Sequence, residues 1–284
     1  MNKVLACLDD SPRTLAVCDY GIWAARLLDV QLEFLHVLDR LVDQSGGTDF
    51  SGMLGFDAQE NLLEQLGALD EERSRLAQEH GRRLLQAAKD RAVSAGVGNV
   101  ETRQRHDSLI DTLLEFEPDT RMVIVGQQRV QGPTSKWYLD QNAERVVRTL
   151  QRPVLVVDDA FKLPQRFVIA FDGSATARKM VEMVSASPLL KGQACHLIAV
   201  TEDSGSVLDG LSWARQTLEA AGFAVQAVAR GGEPEQALRE HVMETGADLL
   251  VMGAYGHSRI RHLIMGSTTS VLLRTSPVPV LILR

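Results

Sequence analysis

The chain has 284 residues, 45% of them hydrophobic and 24% charged, with a formal net charge of -7. That balance fits a globular fold and gives no broad basic footprint for nucleic acid, the short run "HSRIRH" aside. No apolar run approaches the roughly 20 residues of a membrane-spanning helix. The opening "MNKVLACLDDSPRT" also lacks the long apolar core of a signal peptide, so no membrane insertion and a cytoplasmic location are expected.

The first predicted element is a strand, "KVLACL", running into Asp9, Asp10 and Ser11. Ser11 suits a helix N-cap and Pro12 the first helical position. Leu15, Cys18, Ile22 and Ala25 then share one face of a helix. "LEFLHVLD" follows as a second strand. Next comes a stretch with no counterpart later in the chain. It opens as a Gly/Ser-rich loop carrying Phe50, Met53, Leu54 and Phe56, then becomes a long, highly charged helical segment. The loop reads either as a lid or partner surface, or as a segment packed over its own core. "MVIVGQQ" and "RTLQRPVLVVD" supply further strands. Cys7, Cys18 and Cys195 are scattered and odd in number, with neither a disulfide framework nor a zinc spacing, and read as buried reduced thiols.

Past a junction at residues 158–166 the pattern starts again. "FVIAFDGSATARKM" repeats the opening strand and its Asp-x-Ser, with Ser174 as N-cap and Ala177, Met180, Val181 and Val184 on one helical face. "CHLIAVTE" matches "LEFLHVLD", "LLVMGAY" matches "MVIVGQQ", and "RTSPVPVLILR" matches "RTLQRPVLVVD". Each half reads as five apolar strands separated by helices, which places two domains at 1–159 and 160–284. Apolar strands alternating with amphipathic helices predict a parallel sheet covered on both faces, with ligands beyond the carboxyl ends of the strands. The final strands "PVLVV" and "PVPVLIL" are candidate edges that pair with each other.

The stretch "MGAYGHSRIRHLIMGSTTS" has no equal in the first half. Gly253 ends a strand, Gly256 lets the loop pass close to a ligand, and Gly266 opens a helix whose Val271 and Leu272 read as its buried side. The free N–H groups of Gly266, Ser267 and Thr268 would then sit at the positive end of that helix, an anion site. The loop holds no lysine, so it is not a GxxxxGK[ST] phosphate loop.

The pattern Gly-x2-Gly-x9-Gly-[Ser/Thr], followed by "VLLRTSPVPVLIL", resembles the nucleotide-binding signature and last strand of the universal stress protein family, and "VIAFDGS" resembles its opening strand. The likeness covers the whole chain as two tandem copies, apart from the stretch after Leu38. It implies two Rossmann-like domains of the adenine nucleotide alpha hydrolase type, each a five-stranded parallel sheet flanked by helices. It also implies ATP, with Mg²⁺ possible beside it. By resemblance Asp172 meets the nucleoside, and Val200 or its neighbour Ala199 lines the adenine. Gly253, Gly256, Gly266, Ser267 and Thr268 hold the phosphates, and Ala170, Met252 and His257 complete the set. In that family the last strand joins two subunits about a two-fold axis. A tandem chain satisfies this internally as a pseudo-dimer, with a homodimer of chains possible beyond it.

The first half departs from the pattern. Gly126 stands for Gly253, but Arg129 replaces the second glycine and Asp140 falls where Gly266 does, with Gln141 and Asn142 following. A carboxylate there would repel a triphosphate and compete for the same N–H groups. Asp9 and Ser11 persist. His257, Arg259, Arg261 and His262 could neutralise phosphate charge, and His257 could titrate near neutrality, but no acidic pair for Mg²⁺ stands beside them. The expected function is an adenine-nucleotide-occupied regulator of stress response with at most slow hydrolysis. The alternative is a scaffold that binds a protein or apolar ligand through the first-half insert, with structural nucleotide only. An adenylating ligase or pyrophosphatase would need a further catalytic domain.

Overall fold

The computed structural model describes residues 2–38, 56–127, 141–158, 160–202, 205–254 and 267–284. Phe50, Met53 and Leu54 of the insert, Arg129 and Asp140 of the first half, and Gly256, His257, Arg259, Arg261, His262 and Gly266 of the second lie outside the described residues.

The first half runs β1 (Lys3–Leu8), α1 (Thr14–Leu28), β2 (Gln31–Leu38), α2 (Phe56–Ser94), β3 (Val100–His106), α3 (Leu109–Phe116), β4 (Thr120–Gly126), α4 (Gln141–Thr149) and β5 (Val154–Val157). The second half repeats it as β6 (Arg166–Ala170), α5 (Ala175–Ala186), β7 (Ala194–Val200), α6 (Ser206–Ala220), β8 (Ala224–Arg230), α7 (Pro234–Thr245), β9 (Leu249–Gly253), α8 (Ser267–Thr275) and β10 (Val280–Leu283). All ten strands join one sheet in the order β3-β2-β1-β4-β5-β10-β9-β6-β7-β8. Neighbours are parallel except β5 and β10, which pair antiparallel through Val154–Ile282, Leu155–Leu281 and Val156–Val280. Aligning "PVLVV" with "PVLIL" equates Leu155 with Leu281, so this ladder maps onto itself by a local two-fold through that pair. The two last strands thereby cover each other's open edge.

The continuous apolar strands follow from burial on both faces. In β1, Val4, Ala6 and Leu8 pack into one apolar layer and Leu5 and Cys7 into the other. In β9, Leu249 and Val251 divide from Leu250 and Met252 in the same way. All three cysteines are buried and unpaired, and burial, foremost, pushes each thiol up to about 12, so they are packing groups rather than nucleophiles at neutral pH. No helix among the described residues is long and apolar enough to cross a membrane.

Three local expectations are corrected. Ser174 caps α5, its Oγ accepting from Ala177 N–H at 3.1 Å, but Ser11 does not cap α1. Asp9 Oδ1 takes the Ser11 hydroxyl at 2.6 Å, and Ser11 Oγ accepts from Arg13 N–H in a tight turn, so the helix starts only at Thr14, beyond Pro12. Leu15 is 61% exposed, whereas Cys18, Ile22 and Ala25 are buried as expected. In α8 the helical phase sets Thr269, Leu272 and Leu273 inward and leaves Val271 half-buried.

The insert ends in α2, whose 39 residues span about 58 Å. Its C-terminal turns are amphipathic, burying Gly81, Leu85, Ala88 and Ala92, while positions 67–77 are exposed.

Candidate functional site

The topology gathers Ala170, Asp172, Val200 and Gly253 of the second half at one edge. β6 lies between β7 and β9, with Ala170 opposite Ile198 and Ile169 opposite Val251. Asp172, Val200 and Gly253 each follow one of these positions by two residues, at the carboxyl end of the sheet where parallel-sheet ligands bind. Phe171 N–H donates to Ile198 O at 2.8 Å and fixes the turn out of β6. Asp172 Oδ1 accepts from Ser174 N–H at 3.0 Å across Gly173, whose φ of +76 requires a glycine. This holds the half-buried carboxylate at the N-terminus of α5 and leaves its second oxygen available to accept from a ligand hydroxyl.

Gly253 sits against that same helix start. A Cβ there would lie 3.3 Å from the Thr176 methyl, so the strand end and helix approach through the bare backbone. Ala254 N–H donates to Leu283 O and ties the exit of β9 to β10. Ala170, Asp172, Val200 and Gly253 are half-buried. Ala199 and Met252 are buried in opposite apolar layers, so of the two adenine-lining alternatives Val200 is the one whose side chain is reachable. Ser267 opens α8 and Thr268 is half-buried in its first turn.

The equivalent edge of the first half is built differently. Ser11 N–H still donates to Asp9 Oδ1, and Gln127 N–H donates to Val157 O just as Ala254 does to Leu283. But the residue four after Asp9 is Arg13, where the second half has Thr176. Arg13 is buried, and its stem fills the space over Gly126, with Cβ at 3.2 Å and Cδ at 3.4 Å from where a Cβ would stand. His36 takes the place of Ala199 in β2 and is likewise buried, its Nδ1–H donating to Leu8 O at 3.0 Å. α2 closes over it. At Gly81 a Cβ would come within 2.5 Å of both the His36 ring and Gln104, which explains a glycine inside a helix where it costs about 1 kcal/mol against alanine. His80 Nε2 meets Asp10 Oδ1 at 2.8 Å and ties α2 to the turn after β1.

Sequence reasoning located the difference in the loop, at Arg129 and Asp140. It missed Arg13, His36 and Thr176. The signal was available in the repeat alignment, since two small residues of one copy face two large polar ones of the other.

Across the seam the helices are joined at Glu144 of α4. It accepts from Arg148, from Arg274 at 2.9 Å and from Ser270 at 3.1 Å. Burial alone would raise this carboxyl, but the two guanidiniums and the hydroxyl hold it below the ordinary carboxylate range. Ser270 and Arg274 are the two-fold equivalents of Glu144 and Arg148. Among the described residues no group of three His, Cys, Asp or Glu is placed to hold a metal.

The chain matches the profile of the universal stress protein family over residues 1–158 and again over 164–284. It is 31% identical over 287 aligned positions to a universal stress protein of Synechocystis sp., covering 100% of both chains. Among solved structures, a universal stress protein from Archaeoglobus fulgidus superposes with a TM-score of 0.68 at 20% identity, covering 100% of this chain and 98% of its own. A Pseudomonas aeruginosa PAO1 protein of unknown function superposes with a TM-score of 0.65 at 18% identity, covering 100% and 92%. Tandem strand order, paired last strands and two profile matches agree: the chain belongs to the universal stress protein family.

Proposed function

We propose that this chain is a cytoplasmic, ATP-binding regulator of stress response, with one nucleotide site, in the domain 160–284, and a closed twin in the domain 1–159. The observation that carries the reading is the contrast at the two sheet edges. The smaller Thr176 and Ala199 stand in the second half where the larger Arg13 and His36 stand in the first, both of these buried. In this reading Asp172 accepts from the ribose, Val200 flanks the adenine, and Gly253, Gly256, Gly266, Ser267 and Thr268 surround the phosphates with His257 nearby. Bare amides at a helix N-terminus suit a polyphosphate, and Mg²⁺ would add charge neutralisation when bound. Occupancy rather than turnover is the signal, so rapid multiple-turnover hydrolysis would contradict the regulatory part.

The direct experiment purifies the protein without added nucleotide, denatures it and identifies what is released by mass spectrometry. ATP or another adenine nucleotide is expected from the wild type. A Gly266→Asp variant, copying Asp140 of the first half, should release none while keeping its melting temperature. A wild-type preparation that releases none and fails to take up added ATP would refute the reading.

A scaffold reading is favoured by one feature, the exposed run of α2 bearing Leu69 and Leu76. Deleting residues 50–56 separates the two: loss of a protein partner with unchanged ATP affinity supports the scaffold.

A further inference from the structure

The local two-fold predicts two equivalent recesses beside the β5–β10 seam, and they are filled differently. In the first, the segment between β5 and β6 folds back onto α1. Phe161 packs edge-on to Tyr20 with ring centroids 4.7 Å apart, and Lys162 N–H donates to the Tyr20 hydroxyl. Asp248 secures the same segment, accepting from Gln165 N–H at 2.9 Å and Arg166 N–H at 3.2 Å and pairing with Lys162 Nζ at 2.5 Å.

In the second recess no described segment does this. Tyr20 and Met183 each stand eleven residues after the aspartate of their half, so Met183 replaces the ring that receives Phe161. Ala186 likewise replaces Trp23. What remains is a cavity of about 480 Å³, within the usual size of a small-molecule site. Its walls are Leu28, Met122, Met183, Leu190 and Leu281.

The charge is inverted as well. Arg121 and Asp248 each precede by five residues the glycine that ends their strand, so a cation stands where the filled recess has its carboxylate. Arg121 and Lys179 both line the cavity, and no carboxylate side chain is among its lining residues. An apolar body fits the walls, and an anionic head fits the rim.

We propose that this cavity is a second ligand site, separate from the strand-edge site, for an amphipathic carboxylate. The acyl or aryl body lies where Phe161 lies in the twin, and the carboxylate meets Arg121 and Lys179. The inference does not depend on nucleotide binding.

The test titrates the full chain, labelled with ¹³C-methyl methionine, with dodecanoate below its micelle concentration. Methyl resonances of Met122 and Met183 should shift saturably, and that of Met243, which is 68% exposed, should not. Dodecanol and dodecylamine should bind at least roughly tenfold more weakly, the size expected for one charge-assisted contact. Arg121→Asp should weaken dodecanoate by a similar factor. Ala186→Trp, at an exposed position and copying Trp23, should fill the cavity and abolish the shifts while melting stays cooperative. Equal binding of alcohol and carboxylate, shifts that spread to Met243, or shifts that survive Ala186→Trp would overturn the site. Absence of any saturable shift would do so too.

Discussion

The two halves of this protein share a strand order and differ at the carboxyl edge of the sheet. In the second half Asp172, Val200 and Gly253 stand at the ends of neighbouring strands, with Gly253 beside the Thr176 methyl. In the first, the equivalent strand-end glycine, Gly126, is overlain by Arg13, while buried His36 lies under α2. The fold tolerates this because its stability resides in the two apolar layers, which the alternating strand residues of both copies preserve. The proposed ligand contacts of Asp172 and Gly253 lie at the strand ends, so one copy can differ there without disturbing the sheet. The recesses beside the seam show the same division: one is closed by the chain's own Phe161, the other is left lined by cations.

The contrast between the recesses gives the largest expected change. Asp248 is buried and holds two backbone N–H groups and Lys162, so Asp248→Ala should lower stability by about 3 kcal/mol in urea denaturation. Arg121→Ala, at the equivalent place, should change it by less than about 0.5 kcal/mol. Burial pushes the Asp248 carboxyl up, but Lys162 and the two N–H donors outweigh it and hold it below its ordinary range. Its contribution is therefore present above about pH 4 and is lost as pH falls through the lower folded value.

At the strand edges, Gly253→Val should weaken ATP about 100-fold, since a branched side chain would press on Thr176 and the nucleotide path. Gly126→Val should leave ATP affinity unchanged, because Arg13 already occupies that space. Isothermal titration of both variants decides this, and equal losses would erase the asymmetry.

The smallest effect belongs to a histidine. His241 of α7 is buried, neither ring nitrogen has a hydrogen-bond partner among the described residues, and its ring lies edge-on to His196 at 6.0 Å. Burial first, then Arg230 and His196, lower its proton affinity despite Glu244. The unfolded chain thus takes up the proton first, so stability is lost as pH falls below about 6.5. The melting temperature should drop between pH 7.5 and 5.5, and His241→Leu should flatten that drop. An unchanged slope would remove His241 from the account.

Much of this was legible in the sequence because it rests on local pattern. Strands buried on both faces must read as unbroken apolar runs, so "VLACL" and "LLVM" announced a parallel sheet, and their recurrence announced the repeat. The face of α5 followed from helical spacing alone. What escaped depends on competition or distance. Ser11 matches the preference for an N-cap, but Asp9 takes its hydroxyl first. Leu15 matches the periodicity, yet α1 is enclosed on other sides and turns that residue outward. His36 is covered where α2 crosses it at Gly81, Arg13 lies over Gly126, and Phe161 reaches Tyr20 across 141 positions of chain. No local window contains those contacts.

The central claim, one nucleotide held by the later copy alone, is tested most directly by photolabelling with 8-azido-ATP followed by peptide mapping. Labelled peptides confined to residues 160–284, at one equivalent per chain and suppressed by excess ATP, are the predicted result. Labelled peptides from residues 2–158, in place of these or alongside them, would contradict it.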